Sequence, residues 1–176
     1  MHEDVPIPAN PRLTPRLLRA VHAEAYAWSL SCCRGRRDEA LEVLQTAYVM
    51  VIEGRARYDG RSTPRTWLFG VIRNLARQHW RRWLRRARFD VAVPEAEAPD
   101  PAPEPESGAT HAALRAALQA LPRRQREVLG LVFRNDLSLA EAADVLGISL
   151  GSARTHYERG KAALRAALAI DPGTAP

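Results

Sequence analysis

The chain has 176 residues, a net charge of +6 and an isoelectric point near 10.1, enough for one ordinary domain or two small ones and biased toward a polyanionic partner. Six acids, Asp90, Glu95, Glu97, Asp100, Glu104 and Glu106, sit in one stretch without Lys or Arg, and taking them out of the +6 total leaves +12 on the rest. No run is long and apolar enough for a membrane span, the polar, Pro-rich start is unlike a signal peptide, and the two cysteines fit no zinc spacing.

In chain order, residues 1–12 carry Pro6, Pro8 and Pro11 and are expected to be disordered or loosely docked. Thr14-Pro15 reads as a helix start, a cap followed by proline at the first helical position. Leu17, Leu18, Val21, Ala25, Trp28 and Leu30 give that helix an apolar stripe, and Arg34-Gly35-Arg36 breaks it. The adjacent Cys32 and Cys33 are ill placed to bridge each other. They read as small residues on a buried face, with a redox or metal role as the alternative. A second helix is predicted from about Asp38 to Glu53, with Leu41, Leu44, Tyr48, Val49 and Ile52 facing inward. Gly54–Ser62 reads as a loop.

Thr63-Pro64 repeats the cap-and-proline start, and a third helix is predicted to about Arg88, with Trp67, Leu68, Val71, Ile72 and Leu75 facing inward. Arg73, Arg77, Arg81 and Arg85 recur every four residues as a stripe, broadened by Arg82, Arg86 and Arg88 and interleaved with Trp80 and Trp83. So dense a run of like charge destabilises an isolated helix, and a polyanion offsets it. The indoles suit unpaired bases, but they serve equally as core residues, and for Trp80 both readings stand open.

Residues 90–109 form an acidic linker in which Pro94, Pro99, Pro101, Pro103 and Pro105 alternate with acids and Ala. It cannot bury a core and could span roughly 60 Å in polyproline form. Helical pattern resumes with Leu114, Leu118 and Leu121. Leu121-Pro122 opens a further helix with Val128, Leu129, Val132 and Phe133 expected inward. The stretch after it spells a helix-turn-helix. Ser138 and Glu141 have capping-box spacing, Ala142, Ala143, Val145 and Leu146 make a small apolar face, Gly147 stops the helix, Ile148 packs under the turn and Ser149 caps the next helix. That last helix runs from about Leu150 to Leu168 and presents Ser152, Arg154, Thr155, His156, Arg159 and Lys161, side chains suited to a major groove and its phosphates. The fold class expected is all-α: two small helical domains joined by a flexible acidic, Pro-rich linker, the C-terminal one a helix-turn-helix.

These motifs resemble the small extracytoplasmic-function sigma factors of bacterial RNA polymerase, in the sigma-70 family. DEALEVLQTAY (Asp38–Tyr48) is similar to the family's helix that holds core polymerase, YDGRSTPRTWLFGVIRN (Tyr58–Asn74) to the segment that melts and reads the −10 element, and Leu121–Leu168 to its −35-binding domain. The resemblance implies a disordered 1–12, a region 2 over 13–89, the linker over 90–109, a region 4 over 110–169 and a tail of 170–176. It implies that Asp38, Glu42 and Gln45 contact a coiled coil of the largest polymerase subunit. Tyr58, Asp59, Arg61 and Ser62 would hold a flipped −10 base, Arg73, Asn74, Arg77 and Arg81 would take the non-template strand, and Ser152, Arg154, Thr155, His156, Arg159 and Lys161 would read the −35 duplex. It further implies the polymerase flap and an anti-sigma factor as partners, an acidic linker threading the RNA exit path, a cytoplasmic location, and no catalytic residue, cofactor, metal or membrane insertion. The sequence departs from the family pattern at Thr46, Pro64, Gln78 and His156, the last in the reading helix, so −35 preference does not transfer. A receiver-type regulator would need alternating strands and an acidic pocket in the first 90 residues, and a nucleic-acid enzyme would need paired carboxylates, a phosphate-cradling glycine loop or metal-ligand spacing. None of these is evident.

Overall fold

The computed structural model describes residues 14–89 and 109–168. The expectations for residues 1–12, for the acidic linker before Ala109 and for the tail 170–176 lie outside the described residues. Among the described residues every regular element is an α-helix, eight in all, and none is long and apolar enough to cross a membrane. The chain divides into two compact units, one within residues 1–102 and the other within 103–176.

The N-terminal unit contains α1 (Pro15–Ala20), α2 (His22–Cys32), α3 (Arg37–Ile52) and α4 (Pro64–Phe89). Thr14 caps α1, its Oγ1 accepting the Leu17 N–H at 3.2 Å. The single helix expected here is two, divided at Val21, whose ψ of 7° leaves the helical range. The main-chain ladder nevertheless continues through the break, from the Val21 N–H to the Leu17 carbonyl at 3.0 Å and from the Ala25 N–H to the Val21 carbonyl at 2.9 Å, so the apolar stripe keeps its phase. Arg34 and Gly35 then turn the chain at φ of 59° and 85°. A non-glycine residue pays roughly 1–2 kcal/mol for this left-handed region, and here it carries the Arg34 guanidinium to 4.4 Å over the Trp80 ring.

α2, α3 and α4 pack against one another around Trp28, Leu44, Leu68, Phe69 and Ile72, all fully buried. Two polar groups inside are satisfied by main chain: the Trp28 indole donates to the Phe69 carbonyl at 3.0 Å, and Ser29 donates to the Ala40 carbonyl at 2.8 Å. Each bond ties α2 to a different neighbour.

The C-terminal unit contains α5 (Ala109–Ala120), α6 (Arg123–Phe133), α7 (Leu139–Leu146) and α8 (Leu150–Ala167). α6, α7 and α8 contact one another, and α5 lies on α8. The capping box closes in both directions: the Glu141 N–H donates to Ser138 Oγ at 3.2 Å and the Ser138 N–H to Glu141 Oε2 at 2.9 Å. Gly147 ends α7 at φ 57° and ψ 45°, and Ser149 caps α8 by accepting the Ser152 N–H at 3.1 Å. α8 crosses α6 at Gly160, where a Cβ would stand 2.8 Å from Leu129 Cδ1. The inward set expected on α6 needs correcting. Leu131 is buried, Val132 is half-buried, and Phe133 is 63% exposed with its ring stacked on Tyr157 at 5.8 Å.

Candidate nucleic-acid and partner interfaces

α8 begins at the exposed cap Ser149 and carries most of its early polar side chains outward. Ser152, Arg154, Thr155 and Arg159 are exposed, while His156 and Lys161 are half-buried. Helical spacing sorts them onto two faces. Ser152, Thr155 and Arg159 follow at three and four residues and share one side; Arg154 and Lys161 share the neighbouring side with Glu158 between them. Local bonds already engage the short side chains: Ser149 Oγ donates to Ser152 Oγ at 2.9 Å, and Thr155 Oγ1 donates to the Gly151 carbonyl at 3.0 Å. Lys161 reaches over the Tyr157 ring at 4.9 Å and toward Glu158 at 4.0 Å. Arg154 and Arg159 are the long cations that extend from the helix, so they carry the reach of this surface.

In the N-terminal unit, the loop before α4 is built on its own side chains. The Tyr58 hydroxyl donates to the Ser62 carbonyl, and the Tyr58 ring meets Trp67 edge-on at 5.6 Å. Asp59 accepts the Arg61 N–H at 3.1 Å and lies 3.3 Å from its guanidinium. Gly60 supplies the φ of 78° that closes the turn. Thr63 Oγ1 then accepts the Thr66 N–H at 3.1 Å, and Pro64 takes the first helical position, so the cap-and-proline start forms as expected. Trp67, expected inward, is only half-buried because it serves as the wall for Tyr58.

The arginine stripe is a spiral. A four-residue step overshoots the 3.6-residue turn, so each arginine is rotated about 40° from the one before. Arg73 therefore lies inside, 3% exposed, Arg77 is half-buried, and Arg81 and Arg85 are exposed. Asn74 is exposed beside the start of this spiral. Arg73 is thus separated from the surface to which the sequence assigned it. Trp80 stacks on Trp83 at 4.7 Å, and Arg34 and Arg36 lie over the Trp80 ring at 4.4 and 5.1 Å. The rings are half-buried and engaged by their own chain.

α3 corrects the sequence reading most. Its buried residues are Ala40, Val43, Leu44, Ala47 and Val51. Leu41 and Val49 are each 43% exposed and Ile52 is 69% exposed, although all three were expected inward. They share one face with the exposed Asp38, Glu42 and Gln45. The result is a helix with two apolar phases, one filled by the unit's own core and one open, rimmed by acids and an amide. The signal was present in the sequence: six or more apolar residues distributed around a sixteen-residue helix exceed what one buried stripe needs.

Cys33 is buried, and burial pushes its thiol up to about 11, which disfavours the reactive thiolate. Among the described residues no group of His, Cys, Asp and Glu could hold a metal ion.

Two family models match the chain, Sigma-70 region 2 over residues 14–87 and Sigma-70, region 4 over residues 111–164. The chain is 30% identical to the ECF RNA polymerase sigma factor EcfG of Rhodopseudomonas palustris (strain TIE-1), covering 94% of this chain and 90% of that one. It is 31% identical to the ECF RNA polymerase sigma factor SigF of Caulobacter vibrioides (strain NA1000 / CB15N), covering 74% and 71%. Among solved structures it shares the fold of the sigma factor RpoE crystallised with the anti-sigma factor NepR from Bartonella quintana, with a TM-score of 0.69, 21% identity, and coverage of 89% of this chain and 96% of that one. CnrH in complex with the cytosolic domain of CnrY matches with a TM-score of 0.58 and 25% identity over 89% and 87%. The two matched regions coincide with the two helical units, and the chain belongs to the extracytoplasmic-function sigma factors of the sigma-70 family, a promoter-specific transcription initiation factor that works with core RNA polymerase.

Proposed function

We propose that this sigma factor docks on core polymerase through the open face of α3 and divides promoter reading between its two units. The observation that carries this reading is the second apolar phase of α3: Leu41, Val49 and Ile52 exposed beside Asp38, Glu42 and Gln45. Apolar residues in a rim of acids suit an amphipathic partner helix with basic flanks, and the family resemblance points to a coiled coil of the largest subunit as that partner. The −10 strand falls to the Tyr58–Ser62 loop and to Asn74, Arg77 and Arg81. Arg73 is left out as a contact, because its interior position gives it a structural role. Within the loop, Tyr58 acts as a strut and leaves Asp59, Arg61 and Ser62 to face a base, which its bond to the Ser62 carbonyl supports. The −35 duplex falls to α8, with Ser152, Thr155 and His156 near base edges, Arg154 the candidate for bidentate readout, and Arg159 and Lys161 on phosphates.

In this reading the protein is a specificity subunit without catalysis, acting in the cytoplasm where polymerase is. The acidic linker would follow the RNA exit path, and region 4 would also meet the polymerase flap. An anti-sigma factor is the expected inhibitor, since the structural relative RpoE was crystallised with the anti-sigma factor NepR.

Run-off transcription with purified core polymerase tests the assignment, on a duplex promoter and on one already mismatched across the −10 region. Replacing Arg77 and Arg81 together with Ala lowers the duplex yield, and the loss shrinks on the pre-opened template, which no longer needs the unstacking those residues offset. Arg154→Ala relaxes −35 preference at a cost of roughly 1–3 kcal/mol, whereas Arg159→Ala weakens all sequences alike. Equal losses on both templates, or one sequence profile for both α8 variants, would remove the corresponding role.

A further inference from the structure

A polar seam joins α3 to α4. His79, half-buried on α4, turns both ring nitrogens toward α3: Nδ1 is 3.7 Å from Glu39 Oε2, and Nε2 is 3.3 Å from Glu42 Oε2. The two carboxylates differ in their other company. Glu39 already holds Arg36 at 2.7 Å, one turn earlier on the same helix. Glu42 faces the His79 ring, and its side chain is 66% exposed on the open face of α3. A shallow notch lined by Glu42, His79, Arg82 and Trp83 opens beside it.

The two distances also separate the nitrogens. At 3.7 Å Nδ1 is beyond hydrogen-bond reach of Glu39, whereas Nε2, at 3.3 Å from Glu42, stands at the outer edge of donor range, so a small rotation of the ring or the carboxylate closes that bond. The neutral tautomer with its proton on Nε2 suffices for that task. A neutral donor also has an advantage over Arg or Lys at this position. It fixes the carboxylate in place without cancelling the charge that Glu42 offers a basic partner. An exposed glutamate otherwise loses rotamer freedom when it docks, and one already held on its own surface loses less.

We propose that His79 is a positioning residue for the polymerase contact: its Nε2 holds the Glu42 carboxylate in the orientation presented to core polymerase. The inference rests on the reading of Glu42 as a core contact. His79 lies on the helix that carries Asn74, Arg77 and Arg81, so one side of α4 steadies the polymerase contact while another faces the DNA strand.

The test is titration of labelled core polymerase with the full chain, comparing wild type with His79→Ala, His79→Gln, His79→Asn, Glu42→Gln and the His79→Ala/Glu42→Gln pair. Glutamine places an amide nitrogen near the Nε2 position and asparagine near Nδ1. His79→Ala and His79→Asn are expected to weaken binding by about 3- to 5-fold, the scale of a partly exposed pair, and His79→Gln to stay within about 2-fold of wild type. In the Glu42→Gln background, His79→Ala has no further effect. Rescue by asparagine in place of glutamine, an equal loss in both backgrounds, or no loss with alanine overturns the positioning role. If Glu42→Gln itself binds as wild type, the reading of Glu42 as a contact falls and the proposal falls with it. If Glu42→Gln weakens binding while His79 acts independently, only the positioning role is lost. Should His79→Ala lower the melting temperature, the glutamine–asparagine contrast still decides, because both retain a polar side chain and differ in which nitrogen they replace.

Discussion

The two helical units solve the same packing problem with different materials. The N-terminal unit is centred on large side chains, Trp28, Phe69, Leu44 and Ile72, and leaves a second apolar phase of α3 facing outward. The C-terminal unit buries no aromatic among its described residues: Val128, Leu129, Leu131 and Leu146 pack with the small Ala142, Ala143, Ala153 and Gly160, and every helix end around its turn is capped by a side chain or a left-handed glycine. The difference teaches where local rules suffice. A helix whose apolar face has one destination can be read from its own residues. A helix that must serve both its own core and a partner carries two superimposed patterns, and periodicity alone does not say which residues belong to which.

The contrast is sharpened by substitutions in order of expected effect. Trp28→Ala removes a fully buried indole and leaves the Phe69 carbonyl without its donor, so it should cost about 3–5 kcal/mol and unfold the N-terminal unit first. All four tryptophans lie in that unit, so tryptophan fluorescence in Trp28→Phe, the milder variant, isolates its melting from that of the rest. Gly160→Ala places a methyl group 2.8 Å from Leu129 Cδ1 and 3.3 Å from Gln125 Cβ. Overpacking less the gain in helix propensity leaves a net loss of roughly 1–2 kcal/mol, seen by hydrogen exchange in α6 and α8 with the tryptophan signal unchanged. Ser138→Ala breaks the capping box and should cost about 1 kcal/mol, read as earlier exchange of the first α7 amides. Gly130→Ala meets no atom within 4 Å and should stabilise α6 by roughly 0.5–1 kcal/mol, the opposite sign to Gly160 on the helix it faces. If both glycine variants moved stability the same way, close backbone approach would not be what distinguishes the C-terminal unit.

What was legible in the sequence follows the same division. Thr14, Thr63, Ser138, Gly147 and Ser149 announced helix ends because caps act over three or four residues and need no knowledge of the tertiary fold. The helix-turn-helix was legible for that reason. Three features were not. Val21 divides the first helix without breaking its hydrogen-bond ladder, which leaves no mark in periodicity. Arg73 reads as one of the surface arginines because a four-residue repeat looks like a straight stripe until its drift around the helix is counted. Leu41, Val49, Ile52 and Phe133 read as core from their apolar character, although each stands outward. The first three form the face proposed to dock on polymerase, and it is their exposure, against the burial expectation, that motivates that proposal.

The decisive measurement is the affinity of the full chain for core polymerase in a Leu41→Ser/Ile52→Ser double variant, paired with its melting curve by tryptophan fluorescence. Exposed substitutions of this kind leave stability within about 0.5 kcal/mol per site. Removing two apolar anchors from a docking face should weaken binding by roughly 10-fold or more. That loss is expected with an unchanged melting transition. Wild-type affinity for core polymerase in the double variant, with the protein folded, would contradict the docking role of α3.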